Sequence, residues 1–320
     1  MKKILFFITI LFLYKCDPSD TATQKGQEVQ EVKKTSVATT NLETTSDNTF
    51  KFPYNLSKPD VELKLSKKLT EISGLSLTED QEQFIAINDE QGKLFFLNKT
   101  EGKLLAEEKF HKKGDYEGIE AVGEKIYIAK HNGTIYEYVE ATKGERPTPK
   151  AYNTFLNEKN DVEGLGYDAS INSLLLACKG KAGKGLMHQR AVYAFDLATK
   201  KLQAKPIYQI TQTAINEYLE KNPDEELEHL VVSDKKDMVF SPSGIAIQPQ
   251  TKNIYILSSV GKILLVLDKL GKKILTIQAL EKKITKQPEG ITFDKKGTLY
   301  ISSEGRSGKG RIFHFKKHEL

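Results

Sequence analysis

The residues with the clearest potential for chemistry are oxygen-bearing side chains that recur in pairs, one and three residues before a glycine. The pairs are Glu71/Ser73, Asp115/Glu117, Asp161/Glu163, Ser241/Ser243 and Gln287/Glu289. Carboxylates packed closely together raise one another's pKa or attract a cation, and oxygen ligands at varied angles suit Ca²⁺ better than Zn²⁺. The sequence therefore predicts a Ca²⁺ site, and its expected ligands are Asp115, Glu117, Asp161, Glu163 and Glu289.

A second group of polar residues follows each glycine by 12–16 positions. Its members are Asn88, Asp89 and Glu90, then Lys130, His131 and Asn132, then Lys179, then Ser258 and Ser259, and finally Ser303 and Glu304. From both groups we predict a ligand-binding set that consists of Glu71, Asp89, Glu90, His131, Lys179, Ser241, Ser243, Ser258 and Glu304. Such a mixture of charges could hold an anion bridged by Ca²⁺, or it could serve general acid–base hydrolysis.

A purely structural role for the paired residues stays open beside the ligand-binding interpretation. Asp, Glu or Ser in a repeated phrase of this kind often hydrogen-bonds backbone amides of the neighbouring unit, and glycine lets neighbouring strands approach closely. The sequence contains no Ser-His-Asp spacing, HExxH motif or CxxC pair that would indicate a known catalytic centre. The one cysteine after Cys16, Cys178, lies in an apolar run and is expected in the core.

The elements that must position these residues repeat with the glycines. Gly74, Gly118, Gly164, Gly244 and Gly290 are separated by 44, 46, 80 and 46 residues. About a dozen residues after each glycine comes an apolar run typical of a strand; the runs are Phe84–Ile87, Ile126–Ala129, Leu174–Ala177, Ile254–Leu257 and Leu299–Ser302. Short strands and turns that repeat every roughly 40–50 residues indicate the blades of a β-propeller, whose innermost strands line a central channel.

The number of blades depends on the 80-residue interval. It could contain one blade and an insert, or two blades; because Thr211–Leu230 has a helical pattern and no sixth phrase occurs, we expect an insert. The segment Val61–Leu69 alternates like a strand and could complete the last blade, which would close the ring and remove its open edges. The predicted fold is therefore an all-β, five-bladed propeller over residues 49–320 with a short helical insert, and six blades are the alternative.

Two glycine- and lysine-rich loops, Lys179–Arg190 and Glu304–Gly310, lie on one side of the repeat. The first has the composition of an anion-binding loop, but it lacks the Walker pattern and no helix follows it. A solvated loop is the simpler interpretation. The net charge of +5 is small and scattered, and no basic helix accompanies it, so a nucleic-acid binder is not indicated.

The residues before the propeller predict export. Two lysines precede an apolar run in Met1–Cys16 that is too short to span a bilayer as a mature helix. The cysteine at its end resembles the signal of a bacterial lipoprotein, although Lys15 departs from the small residue usual before it. Residues 17–48 are polar and lack aromatic side chains, so we expect a disordered tether. We predict a monomer in the cell envelope, held to a membrane by a lipid on Cys16.

Seven phrases, taken together in this order, resemble those of a known family: ISGLS, GDYEGIE, DVEGLGYD, LLLACKG, FSPSGIAI, IYILSS and QPEGITFD. Over about Val61 to Phe315 the chain resembles the SdiA-regulated, YjiK/CarP-like proteins, a family of exported bacterial β-propellers. The resemblance implies a five-bladed propeller tied to the cell envelope, and a link to calcium. It implies little about a reaction, because the substrates of the family are poorly known.

Three hypotheses for the function follow. The first is an envelope-anchored binding module whose acidic channel mouth holds Ca²⁺ and a small ligand, with a role in signalling or calcium response. The second is a Ca²⁺-dependent hydrolase, either a phosphoesterase like the propeller phytases or a lactonase-like enzyme. The third is a protein-interaction scaffold that uses the outer face and the 211–230 insert. We prefer the binding module, because the dense Asp motifs expected for several adjacent calcium ions are missing.

Overall fold

Five antiparallel sheets make up the part of the chain that the computed structural model describes, which is residues 50–139, 148–233 and 238–319. The predicted signal segment 1–16 and nearly all of the chain before the propeller, including tether 17–48, lie outside the described residues. The five innermost strands contact one another in chain order and the last contacts the first. The sheets therefore form a closed five-bladed β-propeller; the prediction of five blades is confirmed and the six-bladed alternative is wrong. Within the described residues, no helix is long and apolar enough to cross a membrane.

The strands of each blade follow the chain from the channel outwards. The first strand of the described chain, β1 (Val61–Lys64), belongs to blade five. Blade one consists of β2 (Ile72–Leu77), β3 (Gln83–Asn88), β4 (Lys93–Asn98) and β5 (Leu104–Lys109). Blade two consists of β6 (Tyr116–Val122), β7 (Lys125–Lys130), β8 (Ile135–Val139) and β9 (Lys150–Tyr152).

Blade three has an outer strand that is split in two. It consists of β10 (Val162–Asp168), β11 (Ser173–Cys178), β12 (Gln189–Asp196), β13 (Lys201–Leu202) and β14 (Tyr208–Thr211), and both β13 and β14 pair with β12. Blade four consists of β15 (Ser241–Ile247), β16 (Ile254–Val260), β17 (Ile263–Leu267) and β18 (Ile274–Ala279). Blade five consists of β19 (Pro288–Phe293), β20 (Leu299–Ser303), β21 (Arg311–Phe315) and, outermost, β1.

The pairing of β1 with β21 closes the ring. The two strands are antiparallel, with Val61 opposite His314 and Leu63 opposite Ile312. Leu63 and Leu65 are buried against residues of blade one, so this end of the chain joins the last blade to the first. The predicted closing strand is thus confirmed for Val61–Lys64, and the rest of the predicted segment contains a short 3₁₀ helix, Lys67–Leu69.

A helical insert explains the 80-residue interval between two of the glycines. Helix α1 (Gln212–Lys221) is followed by a 3₁₀ helix, Glu225–Leu230. The hydroxyl oxygen of Thr211 accepts a hydrogen bond from the backbone N–H of Ala214 at 3.1 Å and so caps the first turn. One face of α1, with Ile215 and Leu219, is buried in an apolar cluster that also contains residues of blades three and four. The predicted insert is confirmed.

The blades are joined by apolar packing between their faces. Ile85 and Ile87 of blade one, for example, share a buried cluster with Ile119 and Ile128 of blade two, and burial of such side chains is the main force that holds propeller blades together. The innermost strands approach so closely that a Cβ atom at Gly118 would lie 2.5 Å from the Cβ atom of Leu165. The repeated glycine therefore sets the spacing of the strands around the channel.

Candidate functional site

The residue before each repeated glycine points into a small cavity at the centre of the ring, which we call the hub. The hub is lined from all five innermost strands by Ser73, Glu117, Glu163, Ser243 and Glu289, by four of the glycines that follow them and by the apolar residue after each of the five glycines. Its volume is about 10 Å³, which is about the room that one water molecule or one small ion needs. The structure thus brings together the three glutamates that the sequence placed on the channel.

A β-bulge turns these five side chains inward. In every innermost strand the register with its neighbour shifts at the residue before the glycine, for example between Tyr116 and Gly118 and between Val162 and Gly164. A bulged residue is unpaired in the ladder and its side chain is re-aimed. In a regular strand the residues one and three before the glycine would share a face by alternation. Here four of the five earlier residues precede the strand, and none lines the hub.

The serines of the site tie neighbouring strands and blades together. The hydroxyl of Ser73 donates to the backbone oxygen of Tyr116 in the next blade at 2.7 Å, and that of Ser243 donates to Pro288 at 2.8 Å. The hydroxyl oxygen of Ser258 accepts from the backbone N–H of Ser241 at 2.9 Å, and Ser258 is fully buried. Ser243 and Ser258, two of the predicted binding residues, thus have the structural role that the sequence left open, because their hydroxyl groups are already engaged; Ser241 takes part through its backbone N–H.

The hub glutamates are held in an environment that opposes negative charge. Burial and the charge of Glu163 raise the pKa of Glu117 to about 10, and Asp115 beside it adds to the effect. Burial and the charges of Glu163 and Glu304 raise the pKa of Glu289 well above its ordinary value. Burial also raises the pKa of Glu163 to about 7, although Lys179 opposes the shift. At neutral pH Glu117 is therefore protonated, and the ionised form of Glu289 is disfavoured.

Lys179 neutralises the remaining glutamate of the hub. Its ammonium group donates to Glu163 Oε1 at 2.6 Å. Burial alone would lower the pKa of Lys179, but Glu163 and Asp161 outweigh it and the pKa is raised. The sequence placed Glu163 and Lys179 in one site but did not pair them, because their contact depends on the return of β11 beside β10.

His131 and Asp115 form a hydrogen-bonded pair at the rim of the channel. Nδ1 of His131 contacts Asp115 Oδ2, and Nε2 of His131 lies 4.0 Å from Glu158. Burial would raise the pKa of Asp115, but the hydrogen bonds with Glu117 and His131 outweigh it, and the pKa is lowered. Asp115 therefore carries a negative charge directly above the protonated Glu117.

Beside this pair lies a second acidic cluster, which we call the mouth and define as Glu71, Asp89, Glu90 and Glu304. Burial and the charges of Glu71 and Glu90 raise the pKa of Asp89 to about 6. Burial and the charges of Asp89 and Glu71 raise the pKa of Glu304 to about 7. Oδ1 of Asp89 is buried and has no hydrogen-bond partner in the described residues. The residues of the mouth are therefore close enough together to destabilise the ionised forms of Asp89 and Glu304.

The other residues that the sequence singled out are held by the fold. Asp161 has a left-handed backbone (φ 52°), and its carbonyl oxygen accepts from the N–H of Lys179 at 2.8 Å. Arg190 donates to the backbone oxygens of Phe240 and Met238 at 2.9 and 3.1 Å, which joins blades three and four. Burial raises the pKa of Cys178 to about 12, so its thiol is a core group, as predicted.

The sequence interpretation missed one buried carboxyl group. Glu120 lies two residues beyond Gly118 in β6, and burial raises its pKa to about 8 while a hydrogen bond with Ser76 opposes the shift. The signal that could have found it is position: in the same frame the other four innermost strands carry Ser76, Gly166, Ala246 and Thr292. An acid at a strand position where the other blades have small residues can be recognised as unusual only once the position of the bulge is known.

Whether these carboxyl groups fit Ca²⁺ depends on the mouth rather than on the hub. Within residues 50–139, 148–233 and 238–319, no group of three or more His, Cys, Asp or Glu side chains is arranged to hold a metal ion. Neither the hub nor the mouth therefore offers a preformed coordination shell. In the hub, Glu163 is in addition paired with Lys179, and Glu117 is protonated at neutral pH. The mouth has the donors that a hard cation prefers, and the unpartnered oxygen of Asp89 is the atom that would gain most from one.

The chain can now be compared with known proteins. A model of the SdiA-regulated family matches residues 54–306, which is most of the chain. No curated protein matches it. Among solved structures it is similar to a glutaminyl cyclase of Myxococcus xanthus, with 14% identity, a TM-score of 0.50, and coverage of 82% of this chain and 97% of that chain. A PQQ-bound aldose sugar dehydrogenase of Streptomyces coelicolor gives 12% identity, a TM-score of 0.48, and coverage of 81% and 97%. Such low identities show a shared fold and nothing about activity.

Proposed function

The chain belongs to the SdiA-regulated family, and from the acidic mouth of its channel we propose that it is a binding module that takes up Ca²⁺. The ion binds at the mouth, where Asp89, Glu304 and Glu71 supply carboxylate oxygens once their side chains turn towards it, because they are not arranged as a metal site beforehand. Asp115 lies next to them and adds negative charge. A small ligand that carries its own oxygen donors could complete the shell, and its recognition would then depend on calcium.

The observation that carries this proposal is the buried, unpartnered oxygen of Asp89. A buried polar atom without a partner costs free energy, on the order of 1–3 kcal/mol and more for a charged group. Three further carboxyl groups, those of Glu71, Glu90 and Asp115, act on the same side chain and raise its pKa. A divalent cation removes both penalties at once, because it supplies the missing partner and neutralises the repulsion.

The hub supports the mouth without binding the ion itself. Protonated Glu117, the disfavoured charge of Glu289 and the pair of Glu163 with Lys179 bring the hub close to neutral. A hub close to neutral gives the mouth a floor that does not compete with it for the cation. The proposed ligands thus differ from those that the sequence predicted. Glu117, Asp161, Glu163 and Glu289 are omitted, and Asp115 contributes charge without binding the ion. Asp89, Glu304 and Glu71, which the sequence placed in the ligand-binding set, take their place.

Thermal unfolding with and without Ca²⁺ tests the proposal. Because the ion binds only the folded protein, saturating Ca²⁺ is expected to stabilise it by about 3–4 kcal/mol at 100–1,000 times the dissociation constant. Asp89→Asn and Glu304→Gln are expected to lose most of this gain. Asp89→Asn is also expected to be at least as stable as the wild type without Ca²⁺, since it removes a buried unpartnered charge.

Glu101→Gln is the matched control, because Glu101 is an exposed carboxylate in the turn between β4 and β5, at the opposite end of the strands. It is expected to keep the full response to Ca²⁺. A wild-type melting temperature that neither millimolar Ca²⁺ nor EGTA changes would refute the proposal. A full response in Asp89→Asn would refute the assignment to the mouth.

A hydrolase is the second candidate, because the rim contains groups suited to proton transfer. His131 is paired with Asp115, and the pKa of Glu163 and that of Glu304 are raised to about 7, which is the range that general acid–base catalysis uses. Two basic side chains of this region that could hold a phosphate are already engaged, Lys179 by Glu163 and Arg190 by backbone oxygens. Turnover of a phosphomonoester or lactone that Glu163→Gln abolishes would favour this candidate.

We further propose that the propeller is anchored in the cell envelope through a lipid on Cys16. The support is the sequence of the first sixteen residues, with its charged start, apolar run and terminal cysteine. A Cys16→Ser variant is then expected to appear in the soluble envelope fraction, whereas the wild type stays with membranes. Equal distribution of the two proteins between the fractions would contradict the anchor.

A further inference from the structure

A large cavity on the outer part of blade three lies outside the site described above. Its volume is about 660 Å³, within the range of small-molecule pockets, about 300–1,000 Å³. Three segments form it: the loop that enters blade three, the Lys179–Arg190 loop, and the break between β13 and β14. The residues that line it are Phe155, Asn157, Lys159, Asn160, Lys181, Gly183, Lys184, Leu186, Tyr193, Ala204, Lys205, Pro206 and Gln209.

The loop that forms one wall of the cavity is fixed by hydrogen bonds. Tyr193 donates through its hydroxyl to the backbone oxygen of Ala182 at 2.8 Å, and the side-chain amide of Asn160 donates to the oxygen of Lys181 at 2.8 Å. The N–H of Lys181 donates to the oxygen of Lys159 at 2.8 Å. Ala182 and Asn160 are buried. The glycine-rich loop is therefore a built wall, and its interpretation as a merely solvated loop is wrong for this half.

The body of the cavity is apolar and aromatic. The rings of Phe155 and Tyr193 meet edge to face with their centroids 5.4 Å apart. Phe155 is 53% exposed, an unusual state for a phenylalanine in a turn beside a pocket, and Leu186 and Pro206 extend the same wall. Such a surface favours the planar or apolar part of a ligand.

The charge around the cavity has one sign. Four lysines line it, namely Lys159, Lys181, Lys184 and Lys205, and no acidic side chain of the described residues does. The loop that enters the blade contains two acids, Glu158 and Asp161, and neither lines the cavity; Glu158 lies near His131 instead. Ammonium groups bind phosphate oxygens as point charges. The positive charge of four such groups is larger than the single negative charge of a carboxylate ligand could neutralise.

Gln209 adds a polar group to the floor of the cavity. It lies in β14, is only 7% exposed and lines the cavity. Its side-chain amide has no hydrogen-bond partner among the described residues. A buried amide that faces a cavity without a partner is satisfied by a bound group or by water. It offers both a donor and an acceptor to a ligand.

We propose that this cavity binds a small organic phosphate, with its aromatic or apolar body against Phe155 and Tyr193 and its phosphate among the lysines. The break between β13 and β14 forms part of the cavity, because residues 204–206 leave the edge of β12 between the hydrogen bonds that Gln203 and Ile207 make to it, and they line the cavity beside Tyr193. The site does not share a residue with the mouth and does not depend on Ca²⁺ binding there.

Calorimetric titration of the full chain with 1-naphthyl phosphate tests the proposal, with 1-naphthol and inorganic phosphate as the two halves of the probe. The ester is expected to bind one-to-one at this cavity. Its affinity is expected to be at least about tenfold higher than that of either half, because both the apolar and the basic part of the cavity contribute to binding. Lys205→Glu is expected to weaken binding by at least about tenfold through charge reversal. Phe155→Ser is expected to weaken binding of the ester and of 1-naphthol alike.

Lys201→Glu is the matched control, because Lys201 is an exposed lysine of the same blade that does not line the cavity. Its affinity for the ester is expected to stay within about twofold of the wild type, a difference well below one tenfold step. Phe155→Ser keeps the test decisive if Lys205→Glu does not fold. The proposal is overturned if the ester binds no more tightly than 1-naphthol, or if Lys201→Glu weakens binding as much as Lys205→Glu.

Discussion

Glu117 connects the repeated phrase to the chemistry of the channel. The bulge at this residue turns its carboxyl group into the hub, where burial, Glu163 and Asp115 raise its pKa to about 10. Its ordinary pKa is 4.5, so the folded protein holds a proton there that the unfolded chain has lost at neutral pH. Each innermost strand places either a Ser or a Glu at this position. The hub therefore receives two hydroxyl groups and three carboxyl groups.

The retained proton gives a prediction about the dependence of stability on pH. Between pH 4.5 and about 10, the folded state binds more protons at Glu117 than the unfolded state, so the free energy of unfolding falls as the pH rises. Glu117→Gln removes this term and is expected to lessen the loss between pH 5 and pH 9 by about 1–3 kcal/mol, which corresponds to one or two pK units. Urea unfolding at pH 5, 7 and 9 measures it.

Glu101→Gln serves again as the control and is expected to keep the pH dependence of the wild type, because Glu101 is exposed. Identical dependence in Glu117→Gln and in the wild type would show that Glu117 ionises normally. The hub would then not be the neutral floor that the proposed function requires.

The residues of the hub could be predicted because they share one frame in the sequence, but their interactions could not. Spacing alone placed Glu117, Glu163 and Glu289 on the channel. The pairing of Lys179 with Glu163 and the unpartnered oxygen of Asp89 depend on how separate strands return beside one another. Alternation also failed at the bulge, since a bulge leaves no signal in a single copy of the phrase.

At the scale of elements, β1 shows how a short strand can control a large fold. Only four residues of β1 pair with β21, yet they link the two ends of the propeller domain. Leu63 and Leu65 are buried against blade one, and burial of two such side chains contributes about 3–6 kcal/mol. An unpaired β21 would be an exposed edge that can pair with another chain.

Two truncations test the closure. Removal of residues 1–65 deletes β1 and is expected to lower the melting temperature by about 10 °C or more, since 1 kcal/mol corresponds to about 2–4 °C in a domain of this size. It is also expected to cause self-association through the edge of β21. Removal of residues 1–58 is the control, because it keeps β1. Light scattering and thermal unfolding measure both effects, and equal behaviour of the two truncations would contradict this role for β1.

The elements themselves could largely be predicted from periodicity. Apolar alternation placed the second strands and the closing strand, and the helical pattern placed α1 in the 80-residue interval. The split of the outer strand of blade three could not be predicted, because the chain at residues 203–207 has no sequence mark that separates a break from a turn. That break forms part of the 660 Å³ cavity.

The whole molecule places two oppositely charged features on the same end of the strands. The acidic mouth lies at the channel, and the cavity with four lysines lies further out on blade three. Their separation matches the proposal of two independent ligands, a cation at the centre and an anion at the periphery. The small net charge of +5 gives no indication of this charge distribution. The distribution depends on how the ring of blades brings separate residues together.

Calorimetric titration of Ca²⁺ at pH 6.5, in two buffers of different ionisation enthalpy, tests the central claim most directly. The pKa of Asp89 is about 6 and that of Glu304 about 7, so both are partly protonated at this pH and a bound cation must displace their protons. The account predicts one-to-one binding with release of about one proton, visible as a heat that depends on the buffer. Absence of binding, or binding with the same heat in both buffers, would contradict it.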